Sequence, residues 1–288
     1  MLTEVNEQLG RGFRWQRQLV GGEQTGAHVV AADEQLAVLK WELAGWRADQ
    51  LLRAFPAVVH ATKGGWPAAR WLATGPLRAG GAYLLQEFVE GVPMSVIDVD
   101  TAEAVLRANS TQAGRGTAVA VDDSAQLEAV LSGDHPWKGQ VAGFTAAGAA
   151  LVEHGDEIVA WAGAAALPRT DVVHGDYSSS NILISPTNRT VTFIDCQTIG
   201  RGSRVRDLAD LYRQSFTYPN PANTGSRLLR TAGIAAEGPH VFAKCAVAVT
   251  YNNLAWWAEN KKAAEFDLAC ARLHHLFDNV RRPCRCWS

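Results

Sequence analysis

Three polar residues with the chemistry needed for phosphoryl transfer stand at the ends of two short apolar segments. Asp176 follows residues 171–173, Asn181 comes five residues later, and Asp195 ends the next apolar segment. Phosphoryl transfer from a nucleotide needs one carboxylate at the attacking hydroxyl and oxygen ligands for Mg²⁺ on the phosphates. We therefore predict Asp176 as the base or hydroxyl-positioning group, and Asn181 and Asp195 as the metal ligands.

Two neighbours of these residues have predicted roles in the same loop. Ser180, beside Asn181, is predicted to donate to a phosphate oxygen. His174 is expected to pack and hydrogen-bond within the loop rather than to handle protons. An Asp-initiated turn between two strands is the alternative for Asp176 alone. The presence of Asn181 and Asp195 at these spacings favours the catalytic interpretation.

The residue pattern divides the chain into a β-rich first part and a helical remainder. Strands are predicted over 13–20, 27–31, 35–41, 68–73 and 82–88, and helices over 43–55, 100–108, 123–131 and 144–161. Pro56 is expected to close the first of these helices, and capping boxes to open the next two at Asp100 and Asp123. The stripe Phe266, Cys270, Leu273, Phe277 and Val280 indicates a buried helix face.

These elements predict an α+β fold with a small β-rich N-terminal lobe and a larger, mainly helical C-terminal lobe. The turn after residue 90 is the predicted boundary, with nucleotide binding in 1–90 and catalysis and substrate binding in 91–288. A length of 288 residues, 47% of them hydrophobic, suffices for two lobes.

Composition excludes several function classes. The net charge of −2 gives no global attraction to nucleic acid or a membrane, and no segment resembles a signal peptide or a membrane span. Five scattered cysteines fit a reducing compartment, so we expect a cytoplasmic protein. We expect it to be a monomer or weak dimer.

The segments 174–184 and 194–200 resemble the signature of the aminoglycoside phosphotransferase family, relatives of choline kinases with a protein-kinase-like fold. The segment 206–211 continues the likeness, and 83–93 resembles the hinge between lobes. The resemblance implies a two-lobed kinase using ATP or GTP with Mg²⁺. It assigns catalysis to Asp176, metal binding to Asn181 and Asp195, and bracing of the catalytic loop to Asp207. An N-terminal helix charge is an alternative for Asp207 that is compatible with bracing.

The same resemblance implies a phosphate-contacting lysine, which falls on Lys40; a solvated strand-end lysine is the alternative. Such a lysine usually pairs with an acid on the following helix, and Asp49 is the sole acid between Glu42 and Glu87. Asp49 is therefore the predicted partner. Glu42 shares a strand face with Lys40 but cannot form that strand-to-helix brace.

The remaining nucleotide contacts are predicted from the Gly-rich turn 21–26 and the hinge. Gly22 and Thr25 would lie over the phosphates, although the turn lacks the full Gly-x-Gly-x-x-Gly spacing and alone indicates only a hairpin. Adenine would meet the backbone of Glu87 and Val89, with Gln86 at the back of the pocket.

The acceptor is a hydroxylated small molecule whose identity the residues leave open. Carboxylates for a polycation are available among Glu259, Glu265, Asp267 and Asp278, but a solvated helix face is the default explanation for each of them. Tyr251, Asn252, Trp256 and Trp257 form a cluster that could stack on a cyclic substrate. Core packing is the alternative for at least one tryptophan.

We therefore expect an O-phosphotransferase acting on an antibiotic, an aminoglycoside or a cyclic peptide, and so conferring resistance. A metabolite kinase for a sugar, amino alcohol or nucleoside is the second hypothesis. A nucleotide-binding pseudokinase is the third, and it is disfavoured because Lys40, Asp176, Asn181 and Asp195 are all present.

Overall fold

The computed structural model describes residues 1–19 and 26–282. Its strands are β1 (Arg14–Gln18), β2 (His28–Ala32), β3 (Gln35–Glu42), β4 (Trp71–Pro76), β5 (Ala82–Glu87), β6 (Val92–Pro93), β7 (Asp171–Val173), β8 (Ile182–Ile184), β9 (Val191–Phe193) and β10 (Gly200–Gly202). Its α-helices are α1 (Leu2–Leu9), α2 (Gly45–Lys63), α3 (Val99–Ser110), α4 (Asp123–Ser132), α5 (Pro136–Phe144), α6 (Ala146–Ala162), α7 (Val205–Thr217), α8 (Ser226–Glu237), α9 (Pro239–Asn260) and α10 (Ala263–Arg281).

The chain forms two compact units, which are defined by their internal contacts. The first unit comprises Met1–Pro93 and Ser180–Ile199, and the second comprises Met94–Ser179 and the chain from Gly200 onward. The first is built on antiparallel strands and the second mainly on helices. The predicted α+β class, with a small β-rich N-terminal part and a larger helical part, is confirmed.

The main sheet of the first unit is antiparallel, in the order β1-β2-β3-β5-β4. Alternation along β3 places Ala37 and Leu39 in the apolar core, which α1 covers with Leu2 and Val5. Lys40 therefore points to the opposite face of the sheet. This alternation determines which side of the sheet carries the candidate chemistry.

Helix α2 continues eight residues beyond the predicted end, because Pro56 lies inside it rather than closing it. Proline removes one backbone hydrogen bond and crowds the preceding turn, at a cost of about 3 kcal/mol. The buried face formed by Ala54, Ala57, Val58 and Ala61 continues past the proline. We attribute the persistence of the helix to the packing of that face.

A second, three-stranded sheet of the first unit, in the order β6-β8-β9, leads to the predicted metal ligand Asp195. Ile182 pairs with Phe193 and Ile184 with Val191, as expected for two short strands joined by a turn. The backbone N–H of Ala69 donates to the carbonyl of Phe193 at 2.9 Å. This contact ties the segment that precedes β4 to β9.

The second unit surrounds a short β7–β10 ladder with helices. The predicted stripe of α10 is confirmed as core, since Phe266, Cys270, Leu273, Phe277 and Val280 are all buried.

Two predicted capping residues and one predicted helix start in the second unit are wrong by one or two residues. Asp98 caps α3 by accepting from the N–H of Thr101, and Asp122 caps α4 by accepting from Ala125. In both cases an aspartate just before the predicted one satisfies the free N–H groups of the first turn. Thr145 is extended and caps α6, so it separates that helix from α5.

Candidate functional site

In the second unit, strand β7 leads into a tight turn that displays the Asp176 side chain. Gly175 has φ of 86°, a left-handed conformation that favours glycine, and this turns the chain just before Asp176. Asp176 is exposed, whereas His174 is fully buried. The N–H of Asp176 donates to Nδ1 of His174 at 3.3 Å, so the predicted packing role of His174 is confirmed.

The Asp207 carboxylate, at the start of α7, holds this turn from below. Its Oδ2 accepts from the backbone N–H of His174 at 2.8 Å and from Nε2 of Gln112 at 2.7 Å. Its Oδ1 accepts from the backbone N–H of Gly175 at 3.2 Å. Asp207 is fully buried, so these N–H groups have exchanged water for one carboxylate. The predicted brace of the catalytic loop is therefore present.

Two further side chains of α7, which the sequence analysis missed, hold the rest of the loop. Asp210 accepts from the N–H of Tyr177 at 3.2 Å. Gln214 accepts from the N–H of Ser179 at 3.0 Å and donates to the carbonyl of Tyr177 at 3.1 Å. Asp207, Asp210 and Gln214 share one helix face at i, i+3 and i+7. Polar residues that recur at this helical spacing with Asp207 were the available signal.

Buried arginines balance the charge of this helix. Arg213 contacts Oδ1 of Asp210 through Nη2 at 2.8 Å and through Nε at 3.1 Å. Nη1 of Arg206 lies 3.4 Å from Oδ1 of Asp207. Burial alone would lower the pKa of Arg206, but the carboxylates of Asp123, Asp207 and Asp210 raise it on balance. Arg206 therefore stays charged beneath the loop.

Asp123, at the start of α4, belongs to the same network. Its Oδ1 lies 3.5 Å from Nε of Arg206. Burial raises the pKa of Asp123 to about 6, although Arg206 opposes that shift. The proton occupancy of this buried carboxyl therefore changes in mildly acidic solution.

In the first unit, β8 and β9 bring Asn181 and Asp195 together. The backbone N–H of Ile194 donates to the carbonyl of Asn181 at 3.0 Å, so the chain reaches Asp195 one residue past that contact. Asp195 has φ of 64°, a conformation that is uncommon outside glycine and often found at functional positions. An amide oxygen and a carboxylate are the hard oxygen donors that Mg²⁺ prefers. This donor pair fits Mg²⁺.

Lys40 lies against the same carboxylate. Its Nζ is 3.1 Å from Oδ1 of Asp195, and the two side chains are 21% and 33% exposed. An ammonium group here can neutralise charge on a bound phosphate, as the predicted role of Lys40 requires.

The partner predicted for Lys40 is corrected by the structure. Asp49 is exposed on α2, and the carboxylate in contact with Lys40 is that of Asp195. Asp49 lies in the second turn of that helix, and its side chain is exposed to solvent. Glu42, on the same strand as Lys40, is half-buried, and burial is the main cause that raises the pKa of its carboxyl. The charge of Asp195 raises this pKa further, whereas that of Lys40 lowers it.

A pocket of about 590 Å³ lies beside the predicted hinge of the first unit. Its lining residues are Gln16, Arg17, Val29, Leu36, Phe88, Glu90, Gly91, Val92 and Pro186. The guanidinium of Arg17 lies over the Phe88 ring, 5.6 Å from its centroid. The volume falls within the range of small-ligand pockets. Sequence analysis had singled out neither of these two side chains.

The predicted hinge residues Gln86, Glu87 and Val89 adjoin this pocket in sequence but are not among its lining residues. Half-buried Val89 is flanked by two of the lining residues. Gln86 is buried, and its Oε1 has no hydrogen-bond partner among the described residues. The carboxylate of Glu87 is bound by Nε of Arg70 at 2.6 Å. Gly22 and Thr25 lie outside the described residues.

The remaining site predictions fall in different settings. Ser180 is exposed in the short turn Ser179–Asn181. Tyr251 is buried, and its hydroxyl donates to the carbonyl of Val152 at 3.1 Å, which makes it a packing residue. Trp257 is 7% exposed, and Trp256 is half-buried. Core packing therefore accounts for at least part of the predicted aromatic cluster.

No cluster of three or more His, Cys, Asp or Glu side chains suited to a metal ion occurs in residues 1–19 and 26–282. The candidate magnesium position therefore depends on the Asn181–Asp195 pair, with phosphate and water as the other ligands of a bound ion. In the same part of the chain, none of the helices combines the length and apolar character needed to span a bilayer.

Comparison with known proteins places this geometry among phosphotransferases. The sequence profile of the phosphotransferase enzyme family (APH) matches residues 16–244. No curated protein sequence matches the chain significantly.

Three solved structures illustrate the similarity of fold. One is a thermostable mutant of aminoglycoside phosphotransferase APH(4)-Ia in a ternary complex with AMP-PNP and hygromycin B, with a TM-score of 0.73, 15% identity, and coverage of 98% of this chain and 99% of that one. Another is aminoglycoside phosphotransferase APH(3'')-Id from Streptomyces rimosus with ADP and streptomycin, with a TM-score of 0.57, 18% identity, and coverage of 86% and 97%. The third is an aminoglycoside-3'-phosphotransferase of type VIII, with a TM-score of 0.54, 20% identity, and coverage of 96% and 97%. The predicted kinase-like fold is confirmed.

Proposed function

The chain belongs to the phosphotransferase enzyme family, and from that premise we propose that it transfers the γ-phosphoryl group of ATP or GTP to a hydroxyl of a small molecule. The enzyme class, a small-molecule kinase with an alcohol group as acceptor, follows from the family. The nucleotide, the metal, the acceptor and the site residues are our proposals.

The observation that carries the proposal is the loop held by α7. Three side chains of one helix face, Asp207, Asp210 and Gln214, bind successive backbone groups of residues 174–179. Buried polar side chains that bind the backbone of one short loop at several points restrict its motion, which supports a role in which the loop must be rigid. The exposed side chain that this loop presents is Asp176.

Asp176 is the proposed catalytic residue. With its loop fixed, its carboxylate can orient the acceptor hydroxyl and take its proton as the new P–O bond forms at the γ-phosphorus. The bond between that phosphorus and the β,γ-bridging oxygen breaks, and the nucleoside diphosphate leaves with the electron pair. The charge of Asp176, after those of Asp123, Asp207 and Asp210, contributes to raising the pKa of buried Arg206.

In the first unit, Lys40, Asn181 and Asp195 are proposed to hold the phosphates and Mg²⁺. Asp195 and Asn181 would bind the ion, which when bound neutralises phosphate charge. Lys40 Nζ, now paired with Asp195, would donate to a phosphate oxygen, and Ser180 would donate to another. The pocket beside Phe88 supports base binding by the backbone of Glu87 and Val89, with Gln86 behind it.

We propose residues 1–90 as the nucleotide-binding lobe and residues 91–288 as the catalytic and substrate-binding lobe. The acceptor is proposed to be an antibiotic of the aminoglycoside or cyclic-peptide type, with resistance as the outcome. The complexes of related folds with hygromycin B and streptomycin support that class. Buried thiols at Cys196, Cys245 and Cys270 support a reducing, cytoplasmic location.

The experiment that tests this proposal incubates purified protein with Mg²⁺ and ATP or GTP. The acceptor panel contains aminoglycosides, cyclic-peptide antibiotics and common metabolite alcohols. We expect nucleoside diphosphate release that one acceptor stimulates, and a mass gain of one phosphoryl group on that acceptor. Nucleotide binding without transfer to any member of the panel would count against an antibiotic acceptor.

A further inference from the structure

A second pocket lies in the helical unit, at the C-terminal ends of α7 and α9 and the first turns of α10. Its volume is about 230 Å³, which suits one ring of a ligand rather than a whole multi-ring molecule. Its lining residues are Thr217, Tyr218, Trp257, Lys261, Glu265, Leu268, Ala269 and Arg272.

Aromatic rings form one side of this pocket. The Tyr218 and Trp257 ring centroids lie 6.1 Å apart at an interplanar angle of 48°. Tyr218 is exposed, whereas Trp257 is nearly buried and presents only part of its ring. The ammonium of Lys261 lies 6.0 Å from the Trp257 centroid and 5.4 Å from that of Trp256. A protein cation therefore already lies at the face where a cationic ligand would stack.

A second cation lines the opposite side. Nη1 of Arg272 donates to the carbonyl of Thr217, the last residue of α7, at 2.9 Å. That single contact orients the guanidinium, and within residues 1–19 and 26–282 its other N–H groups make no hydrogen bond. Among the lining residues that the structure describes, the charged side chains are Lys261, Arg272 and Glu265. A planar guanidinium with free N–H groups matches a carboxylate or phosphate.

Helix α7 connects this pocket to the loop that carries Asp176. Gln214 binds the backbone of Tyr177 and Ser179, and Thr217 follows three residues later on the same helix. Three residues correspond to a rise of about 4.5 Å along the helix axis. Buried Arg213 joins the two ends of this segment, because it contacts both Asp210 and the Thr217 hydroxyl. The pocket and the loop are therefore mounted on one rigid element.

We propose that this pocket binds a planar, anionic ring of the acceptor, an aromatic carboxylate placed against the exposed Tyr218 ring and paired with Arg272. The inference rests on the proposed function, because it narrows the acceptor class of that reaction. A polycation, and with it the aminoglycoside part of the proposed acceptor class, is disfavoured because the Arg272 guanidinium would repel it. The acceptor is then a hydroxylated, ring-containing molecule that is neutral or acidic overall.

The test uses three probes with one ring and one hydroxyl but different charges. They are para-hydroxymethylbenzoate, para-hydroxymethylbenzamide and para-aminomethylbenzyl alcohol, which are anionic, neutral and cationic. Affinities are measured by ligand-observed NMR titration of the full chain, without nucleotide. We expect the anion to bind about tenfold more tightly than the amide and the cation to bind most weakly. Equal affinities, or tightest binding of the cation, would overturn the proposal.

Variants locate the binding. Arg272→Gln and, independently, Lys261→Gln should reduce the affinity for the anion towards that for the amide, while Arg272→Lys should keep part of the preference. Arg281→Gln is the matched control on the same helix, because Arg281 pairs with Glu157 and does not line the pocket. Circular dichroism and melting temperature verify folding. A preference for the anion that persists in both Gln variants would refute the assignment.

Phosphoryl transfer separates this inference from the proposed function. Transfer to an aminoglycoside such as hygromycin B, but to no neutral or acidic ring-containing acceptor, would uphold the kinase and refute the pocket assignment. Arg272-dependent binding of the anionic probe, with no phosphoryl transfer to any hydroxylated compound, would uphold the anion site and refute the kinase proposal.

Discussion

The Asp207 carboxylate accepts a hydrogen bond from the backbone N–H of His174 at 2.8 Å, and this contact joins α7 to the loop that presents Asp176. The same carboxylate also binds the Gly175 N–H and the Gln112 side chain. One buried group thus fixes the two residues that precede Asp176.

Replacing Asp207 with Asn should destabilise the protein and slow the reaction together. An amide oxygen cannot accept all three hydrogen bonds, and buried Arg206 loses a counter-charge, so we expect a loss of about 3 kcal/mol in the free energy of unfolding. Urea denaturation measures it, and steady-state kinetics measures kcat. Glu153→Gln, at an exposed carboxylate, is the control. Wild-type stability and kcat in Asp207→Asn would contradict the bracing role.

Asp176→Asn should remove turnover while leaving nucleotide affinity nearly unchanged. The side chain is exposed, so its loss costs little stability, and removal of a general base lowers kcat by about 100-fold or more. Calorimetric binding of Mg²⁺-ATP and acceptor-dependent ADP release measure the two quantities. If kcat stays within a few-fold of wild type, Asp176 does not have the assigned role.

Asp195→Asn should weaken Mg²⁺-dependent nucleotide binding. The variant lacks the charge that pairs with Lys40 and would bind the metal, so we expect at least about a tenfold loss of Mg²⁺-ATP affinity. Affinity is measured by calorimetry with and without Mg²⁺. Asp49→Asn serves as the matched control, because that carboxylate is exposed and lies apart from the Lys40–Asp195 pair. The ligand assignment fails if both variants bind like wild type.

Asp123 predicts a specific dependence of stability on pH. Its pKa is about 6 in the folded protein, above the ordinary value of 3.8, so between these values the native state holds a proton that the unfolded state has lost. The contribution of Asp123 to stability therefore falls as pH rises through this window. Asn at this position cannot ionise, so the stability of Asp123→Asn relative to wild type should rise by about 2 kcal/mol from pH 4 to pH 7.

Urea denaturation at pH steps across that window tests the prediction, with Glu153→Gln measured in parallel. A stability difference between Asp123→Asn and wild type that stays constant with pH would show that the carboxyl does not titrate as described.

The positions of Asp176, Asn181 and Asp195 could be predicted from the sequence because each lies at or near the end of a short apolar segment that is typical of a buried strand. Ile182 pairs with Phe193, so Asn181, just before the first strand, lies near the chain that leads from the second strand to Asp195. The spacing of these residues in the sequence predicts this arrangement. The brace by Asp207 was likewise expected. In principle, Asp210 and Gln214 were detectable, since polar residues at helical spacing with Asp207 have no reason to share a buried face unless they bind something.

The partner of Lys40 could not be found from sequence, because Lys40 and Asp195 are 155 residues apart in the chain. Their contact depends on the tertiary packing of two distant segments. Proximity in sequence favoured Asp49 as the partner, whereas in the folded protein Lys40 contacts Asp195. The extent of α2 was missed for a related reason. The local penalty at Pro56 was visible, but the burial of Ala57, Val58 and Ala61 that outweighs it is a tertiary property.

The proposed transfer of a phosphoryl group to an acceptor hydroxyl is tested most directly by following the γ-phosphoryl group itself. Purified protein is incubated with Mg²⁺, ATP carrying heavy oxygen on its γ-phosphate, and each acceptor of the panel, and the products are weighed by mass spectrometry. We expect one acceptor to gain a phosphoryl group that carries the labelled oxygens, and we expect no such product with the Asp176→Asn variant. Label found only in ATP and inorganic phosphate, with every acceptor unmodified, would contradict the proposed transfer.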